Sequence, residues 1–144
     1  MKSIEEVQDE IAEEFELFGD DRESMVFYIM ELGQKLPPLE EEAKLDGNLI
    51  KGCQSKVWLT TDLDGDRVIY RADSNTAVTK GLASLLVRVL SGHRPQDVVA
   101  ADLNFIDRIG MGRVIGSQRS NGLAAMIKQM KLYALAYQAK LAGA

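Results

Sequence analysis

The sequence predicts an α+β fold in which helices pack on a small antiparallel β-sheet, within one domain spanning residues 1–144. Three observations predict it. Apolar residues recur at spacings of three and four near both ends of the chain, the period of amphipathic helices. Between them lie two short runs rich in β-branched and aromatic residues, Lys56–Leu63 and Arg67–Ala72, joined by a turn at Asp64-Gly65. A length of 144 residues, 46% apolar and 27% charged, supports one hydrophobic core and argues against disorder.

Taken in order, Ser3-Ile4-Glu5-Glu6 has the form of a capping box, a serine N-cap followed three residues later by glutamate. Behind it Ile4, Val7, Ile11, Phe15 and Phe18 define one face of a helix ending near Gly19. Asp20-Asp21-Arg22-Glu23 opens a second helix with Val26, Ile29, Met30 and Gly33 facing inward, and Pro37-Pro38 closes it. Residues 44–55 show no helical period and contain Gly47 and Gly52, so they read as a loop running into the first strand.

Each strand carries consecutive apolar residues, Val57-Trp58-Leu59 and Val68-Ile69-Tyr70, so the sheet is expected to be covered on much of both faces. Ser74 or Thr76 caps a third helix through Leu90, whose Val78, Leu82, Leu85, Leu86, Val87, Val89 and Leu90 predict burial nearly all round. Gly92 ends it. Arg94-Pro95-Gln96-Asp97 opens a short helix with proline in its first turn, and Leu103–Ile109 forms another. Gly110, Gly112 and Gly116 mark an irregular connection. Ser120 then caps a last helix with Leu123, Met126, Ile127, Met130, Ala134 and Tyr137 in one stripe.

Composition excludes several function classes. One cysteine, Cys53, forbids an intramolecular disulfide, a CxxC redox pair and any multi-thiolate metal site built by one chain. There is one histidine, His93. Asp62, Asp64 and Asp66 come nearest to a calcium loop but read better as the hairpin turn. No apolar run approaches the roughly 20 residues that span a bilayer, so no membrane association is expected. The N-terminus lacks the features of a signal or transit peptide, so a cytoplasmic location is expected.

The net charge of −5 is unevenly spread: residues 1–42 hold 14 acids against three bases, and the remainder eight acids against 14 bases. Nucleic acid is therefore disfavoured as a partner. The acidic helices read as a solvated face or as a means of steering toward a partner with a basic surface.

Cys53 lies between Gly52 and the polar pair Gln54-Ser55 at a loop-to-strand junction, where reactive groups are often held by a rigid scaffold. A free cysteine is also commonly a small buried hydrophobe. Backbone N–H groups of a glycine-containing turn, or a nearby arginine, would raise its thiolate fraction, and the residue types leave both readings open. His93, in a helix-to-helix connection, reads as a surface linker histidine rather than a dyad partner for Cys53. Asp73-Ser74-Asn75-Thr76 carries polar groups beyond the needs of one N-cap, with capping the simpler account. Ser117-Gln118-Arg119-Ser120-Asn121-Gly122 opens a helix, where Arg119 either ties the helix to the sheet or binds an anionic group such as a carboxylate, thiolate or persulfide.

Four stretches together resemble the SufE family of sulfur-acceptor proteins, in order and spacing over roughly residues 15–131. They are Tyr28-Ile29-Met30-Glu31-Leu32-Gly33-Gln34-Lys35-Leu36-Pro37, Gly52-Cys53-Gln54-Ser55-Lys56-Val57-Trp58-Leu59, Lys80-Gly81-Leu82 and Arg119-Ser120-Asn121-Gly122-Leu123. The resemblance implies an α+β fold similar to that of IscU-type scaffolds, with sulfur carried rather than a cluster assembled. It implies that Cys53 accepts persulfide sulfur from a pyridoxal-phosphate cysteine desulfurase of SufS type, stimulating it. The sulfur then passes to an iron–sulfur scaffold of SufBCD type.

By the same resemblance Arg119 assists docking or sulfur stabilisation, Gly52, Gln54, Ser55, Ser74 and Asn75 are docking candidates, and no cofactor is needed. A sheltered Cys53 would protect a persulfide, and its loop would then have to move outward to meet the desulfurase. The chain is expected to be a monomer or homodimer. Two departures stand out. Ser74-Asn75-Thr76-Ala77 replaces a common Ser-Asp-Ala, and Ile115-Gly116-Ser117-Gln118-Arg119 replaces a common Ser-Pro-Ser-Arg, so the loop before Arg119 is expected to be more flexible. Competing readings are the same carrier serving another sulfur pathway, a thiol hydrolase with His93 as base, and a purely structural interaction module.

Overall fold

A computed structural model describes residues 1–143. The chain runs through α1 (Ile4–Glu16), α2 (Arg22–Gln34), two single 3-10 turns (Glu41–Ala43 and Asp46–Asn48), β1 (Val57–Asp64) and β2 (Arg67–Ser74). It continues through α3 (Ala77–Leu90), α4 (Pro95–Ala100), α5 (Phe105–Ile109) and α6 (Met111–Ala142). The strands pair antiparallel, with Val57 opposite Ser74 and Asp64 opposite Arg67, and helices pack on that two-stranded sheet as the sequence predicts. The two turn residues are Gly65 and Asp66, one position later than expected, and Gly65 takes the positive φ of 64° that this hairpin corner requires.

The capping box forms: the Ser3 hydroxyl accepts from the Glu6 backbone N–H and the Glu6 carboxylate from that of Ser3. The helix it starts buries Val7, Ile11 and Phe15. Gln8 is buried among them, donating to the Asp102 carbonyl at 2.9 Å and accepting from the Phe105 N–H at 3.0 Å. A buried amide that satisfies both its functions costs little, and this one ties α1 to the start of α5.

Helix α3 is the centre of the core, with Leu82, Ala83, Leu85, Leu86, Val89 and Leu90 all shut off from solvent. At about 1.5–3 kcal/mol for each fully buried large aliphatic side chain, this helix is a major contributor to the core. It crosses α2 at backbone contact. A Cβ on Gly33 would lie 2.7 Å from the Gly81 nitrogen, and one on Gly81 would lie 2.0 Å from the Ile29 carbonyl oxygen. The inward-facing Gly33 and the Lys80-Gly81-Leu82 block thus share one physical cause.

Three expectations are corrected. The sheet is covered on one face: Val57, Leu59, Val68, Tyr70 and Ala72 are buried, whereas Trp58 and Ile69 on the other face stay partly exposed. Lys44 lies over the Trp58 ring at 5.5 Å, a cation–π contact standing in for an apolar layer. The stretch from Gly110 is largely helical. Gly110 takes φ 75° as the C-cap of α5, and Met111, Val114 and Ile115 bury a helical turn straight after it. Only Gly116 (φ 83°, ψ 171°) breaks the run, so Ser120 sits inside α6 rather than capping it. Thr76 occupies the N-cap of α3, but its hydroxyl is used elsewhere.

The glycine crossing makes a test of stability. Gly81→Ala should destabilise by about 3 kcal/mol in chemical denaturation, because backbone cannot yield as a side chain does. Gly47→Ala, where a Cβ meets nothing within 4 Å, should stay within about 0.5 kcal/mol of the parent protein.

Candidate functional site

Cys53 is half-buried in a loop held at both of its ends and free between them. At the near end, Leu49 forms a bridge with Trp58, and the Ile50 N–H donates to the Val57 carbonyl at 2.9 Å. At the far end Lys56 is clasped by the start of α3. Its N–H donates to the Asn75 side-chain oxygen at 3.0 Å, and its carbonyl accepts from the Ser74 hydroxyl at 2.8 Å and the Asn75 N–H at 3.2 Å. Ser55 accepts from the hydroxyls of Thr76 at 2.9 Å and Thr79 at 3.3 Å. The polar groups beyond the needs of one N-cap therefore fix the loop where it becomes β1.

Between these anchors residues 51–54 lie against α6, and two glycines permit the approach. A Cβ on Gly52, whose φ of 96° already disfavours one, would sit 3.3 Å from the Ala125 Cβ. A Cβ on Gly122 would sit 3.3 Å from the Cys53 sulfur. The Cys53 thiol donates to the Gly122 carbonyl with Sγ to oxygen at 3.4 Å. Among the described residues, that is the one hydrogen bond made by residues 51–54.

The sulfur opens onto a cleft of about 430 Å³ lined also by Gln54, Ser55, Thr79, Arg119 and the turn around Gly116. Because Gly116 interrupts α6, Ser117-Gln118-Arg119 begin a fresh helical run at the cleft wall. Arg119 is exposed, and its guanidinium has no hydrogen-bond or ion-pair partner among the described residues. That arrangement favours the reading in which it binds an anionic group over the one in which it ties helix to sheet. An unpaired guanidinium beside a thiol is a ready partner for negatively charged sulfur.

Burial pushes the Cys53 thiol above the ordinary cysteine value. The expectation that turn N–H groups or an arginine raise its thiolate fraction is therefore corrected: desolvation is the acting cause, and the thiol offers its proton to a carbonyl. His93 is also not where the sequence suggests. It is 7% exposed, its carbonyl accepts from Val68 as an extension of the sheet, and its pKa is lowered by burial. It lines a different cleft, with Met1, Arg67 and Asp97, so the surface linker becomes a buried one and a Cys53–His93 dyad is not assembled.

Of the docking candidates, the cleft brings together Gly52's neighbours Gln54 and Ser55, whereas Ser74 and Asn75 line a separate groove with Lys80. Asp73, grouped by the sequence reading with the capping residues of α3, is instead a buried carboxylate, 3% exposed. It accepts from the Ser74 and Leu39 N–H groups at 2.8 and 3.1 Å and pairs with Lys80 and Lys44 at 3.4 and 3.5 Å. Burial opposes its charge, but these donors and cations prevail and hold its carboxyl below the usual range. The signal available was a lone acid at the end of an apolar strand.

The acidic N-terminal helix is engaged with the rest of the fold. Glu14 binds Arg88, which lowers its pKa, Glu10 also reaches Arg88 at 3.6 Å, and Asp9 pairs with Arg108 at 2.8 Å. No helix among the described residues is long and apolar enough to cross a membrane.

A half-sheltered thiol on a short loop and an unpaired arginine thus line one cleft of an α+β frame. The family profile that matches residues 9–134 is SufE, described as an Fe-S metabolism associated domain. The chain is 34% identical over 131 residues to an uncharacterized SufE-like protein of Synechocystis, covering 89% of this chain and 80% of that one. It is 35% identical over 128 residues to one from Rhizobium etli, covering 85% and 86%. A SufE-like protein 1 of Arabidopsis thaliana, chloroplastic/mitochondrial, is 35% identical over 143 residues, covering 97% of this chain and 38% of that protein. A solution structure of a hypothetical protein from Thermus thermophilus shares the fold, with TM-score 0.74, 21% identity and coverage of 92% and 96%.

The chain belongs to the SufE family. Membership supports a role in sulfur transfer within iron–sulfur metabolism and implies interaction with a cysteine desulfurase.

The raised thiol pKa makes a pH test. Alkylation by iodoacetamide needs the thiolate, so its rate on the free protein should rise between about pH 6 and pH 11 with a midpoint above that of N-acetylcysteine. A midpoint at or below that of the small thiol would contradict the resting state described. A second test concerns Asp73. Its depressed pKa means that it stabilises the fold above the unfolded carboxyl value and that this contribution is lost as pH falls through the folded one. Asp73→Asn should therefore lower thermal stability at neutral pH by about 2 kcal/mol and flatten the acid limb of the stability profile.

Proposed function

We propose that Cys53 accepts persulfide sulfur from a cysteine desulfurase of SufS type and passes it to an iron–sulfur scaffold of SufBCD type. The observation that carries this reading is the lone thiol resting on the Gly122 carbonyl at the mouth of a cleft that also holds the unpaired Arg119. In the accepting step the Cys53 thiol gives up its proton to solvent. Its thiolate attacks the outer sulfur of the desulfurase persulfide, forming a new S–S bond, and the desulfurase cysteine leaves as thiolate. No net oxidation occurs, since one S–S bond forms as another breaks. Removing the persulfide product is how the carrier raises desulfurase turnover.

A persulfide ionises more readily than a thiol; Arg119 neutralises the resulting anion, while Gln54 and Ser55 line the cleft around it. Residues 51–54, held by one weak hydrogen bond, swing outward to present the sulfur and return to shelter it from reductant. Gly52, Gln54, Ser55, Ser74 and Asn75 contribute to docking, the last two by holding the loop's far anchor. The chemistry needs no cofactor of this chain's own, and the carrier works in the cytoplasm as a single domain, monomeric or dimeric.

Intact-protein mass spectrometry after incubation with a cysteine desulfurase and L-cysteine, without reductant, tests the reading. The wild-type chain should gain one sulfur atom, reversibly on reduction, and Cys53→Ser should gain none. Arg119→Ala should still be loaded, but its persulfide should be lost to added thiol about tenfold faster. No gain on the wild-type chain with several desulfurases would leave Cys53 a packing residue.

A further inference from the structure

Some cations of this chain are paired within the fold and others, Lys35 and Arg113 among them, have no ion-pair partner among the described residues. Those facing α1 and the outer edge of β2 are spoken for: Arg88 by Glu14 and Glu10, Arg108 by Asp9, Arg71 by Glu40, and Lys2 by Glu10. Those around the Cys53 loop are not. Lys51, Arg119 and Lys128 are exposed, and their side chains have no hydrogen-bond or ion-pair partner among the described residues. Helix α6, against which the loop rests, carries Arg113, Arg119, Lys128, Lys131 and Lys140 and not one Asp or Glu over 32 residues. A protein with a net charge of −5 thus presents unopposed positive charge at its reactive thiol.

Lys51 and Lys128 share a groove of about 520 Å³ on the other side of the Gly52–Ala125 contact from the Cys53 cleft. Its floor is apolar, formed by Ile50, Leu59 and Tyr133, and Leu132 stands at its side with 48% of its surface exposed. A large aliphatic side chain left in water beside two unpaired lysines suits an occupant with an apolar anchor flanked by carboxylates.

We propose that this groove docks an acidic segment of the persulfide-donating desulfurase, with an apolar residue of that segment covering Leu132 and carboxylates meeting Lys51 and Lys128. The inference rests on the sulfur-acceptor reading and extends it by naming the surface that recognises the donor. It also gives α1 a structural role through Asp9, Glu10 and Glu14, which are paired within the fold, and leaves Glu13 and Glu16 as the free carboxylates of that helix. Lys51 is two residues from Cys53, so docking here pulls on the segment that must leave the cleft.

The test measures Cys53 sulfur loading against desulfurase concentration, with the full chain, for wild type, Lys51→Glu/Lys128→Glu, Leu132→Ser and the α1 control Glu13→Lys/Glu16→Lys. The desulfurase is one that loads the wild-type chain in the mass assay. The lysine reversals should raise the half-saturating concentration by about tenfold at low salt and leave loading at saturation intact. The wild-type advantage should shrink as sodium chloride screens it. Leu132→Ser should also raise half-saturation, without the salt dependence, and the α1 control should match wild type. Unchanged thermal midpoints verify that the variants fold. If the lysine variant half-saturates where wild type does, the docking surface is wrong while sulfur acceptance stands. If α1 reversals weaken loading instead, recognition runs through the acidic face. If wild type is never loaded, both readings fall.

Discussion

Two glycines from different helices touch, and from that contact the position of the reactive loop follows. With Gly33 and Gly81 at backbone distance, α3 lies closer to α2 than any side chain would permit. That closeness sets the start of α3 relative to the sheet, where Thr76 and Thr79 reach Ser55 and where Ser74 and Asn75 hold Lys56. Asp73 reinforces the same corner by collecting two backbone N–H groups and two lysines at the end of β2. A rigid corner of this kind lets a four-residue segment remain lightly held without the loop as a whole becoming indefinite.

On the proposed sulfur-acceptor role, the site meets two demands that oppose one another. A thiol that takes sulfur has to ionise, and a persulfide that survives between proteins has to be kept from solvent. Burial and a carbonyl acceptor favour the neutral thiol at rest, and so shelter is the condition the isolated chain satisfies. The proposed acceptor role therefore places reactivity in a conformation with the loop outside the cleft, where the desolvation penalty would be gone. Arg119 lines the same cleft, and in the proposed role its positive charge favours anionic sulfur over a neutral thiol.

Charge is sorted by role more than by amount. The acidic first helix reads from its composition as a solvated face or a steering surface, but Asp9, Glu10 and Glu14 find Arg108 and Arg88 within the fold. Near the thiol, Lys51, Arg119 and Lys128 are left without partners. Net charge therefore says little about the surface a partner meets, because pairing inside the fold removes one sign locally and leaves the other.

Much of this was readable from the chain alone. The capping box, the helical stripes and the two β-branched runs around Gly65 determine an α+β fold because local propensity and hydrophobic period act over a few residues. The Gly-Cys-Gln-Ser block and its three companion blocks determine the family. Tertiary contacts decided the rest. His93 is buried because its backbone extends the sheet from a connection that looks like a surface link. Helix α6 starts at Met111 rather than Ser120 because three apolar residues in that stretch find the core, leaving Gly116 as a break of one residue. The thiol's hydrogen-bond partner is a carbonyl 69 positions along the chain, and the partners of Arg88 and Arg108 are equally remote. Sequence period reports which face of an element is apolar; it carries no information about which distant atom completes a hydrogen bond or an ion pair, and those partners set the chemistry of Cys53.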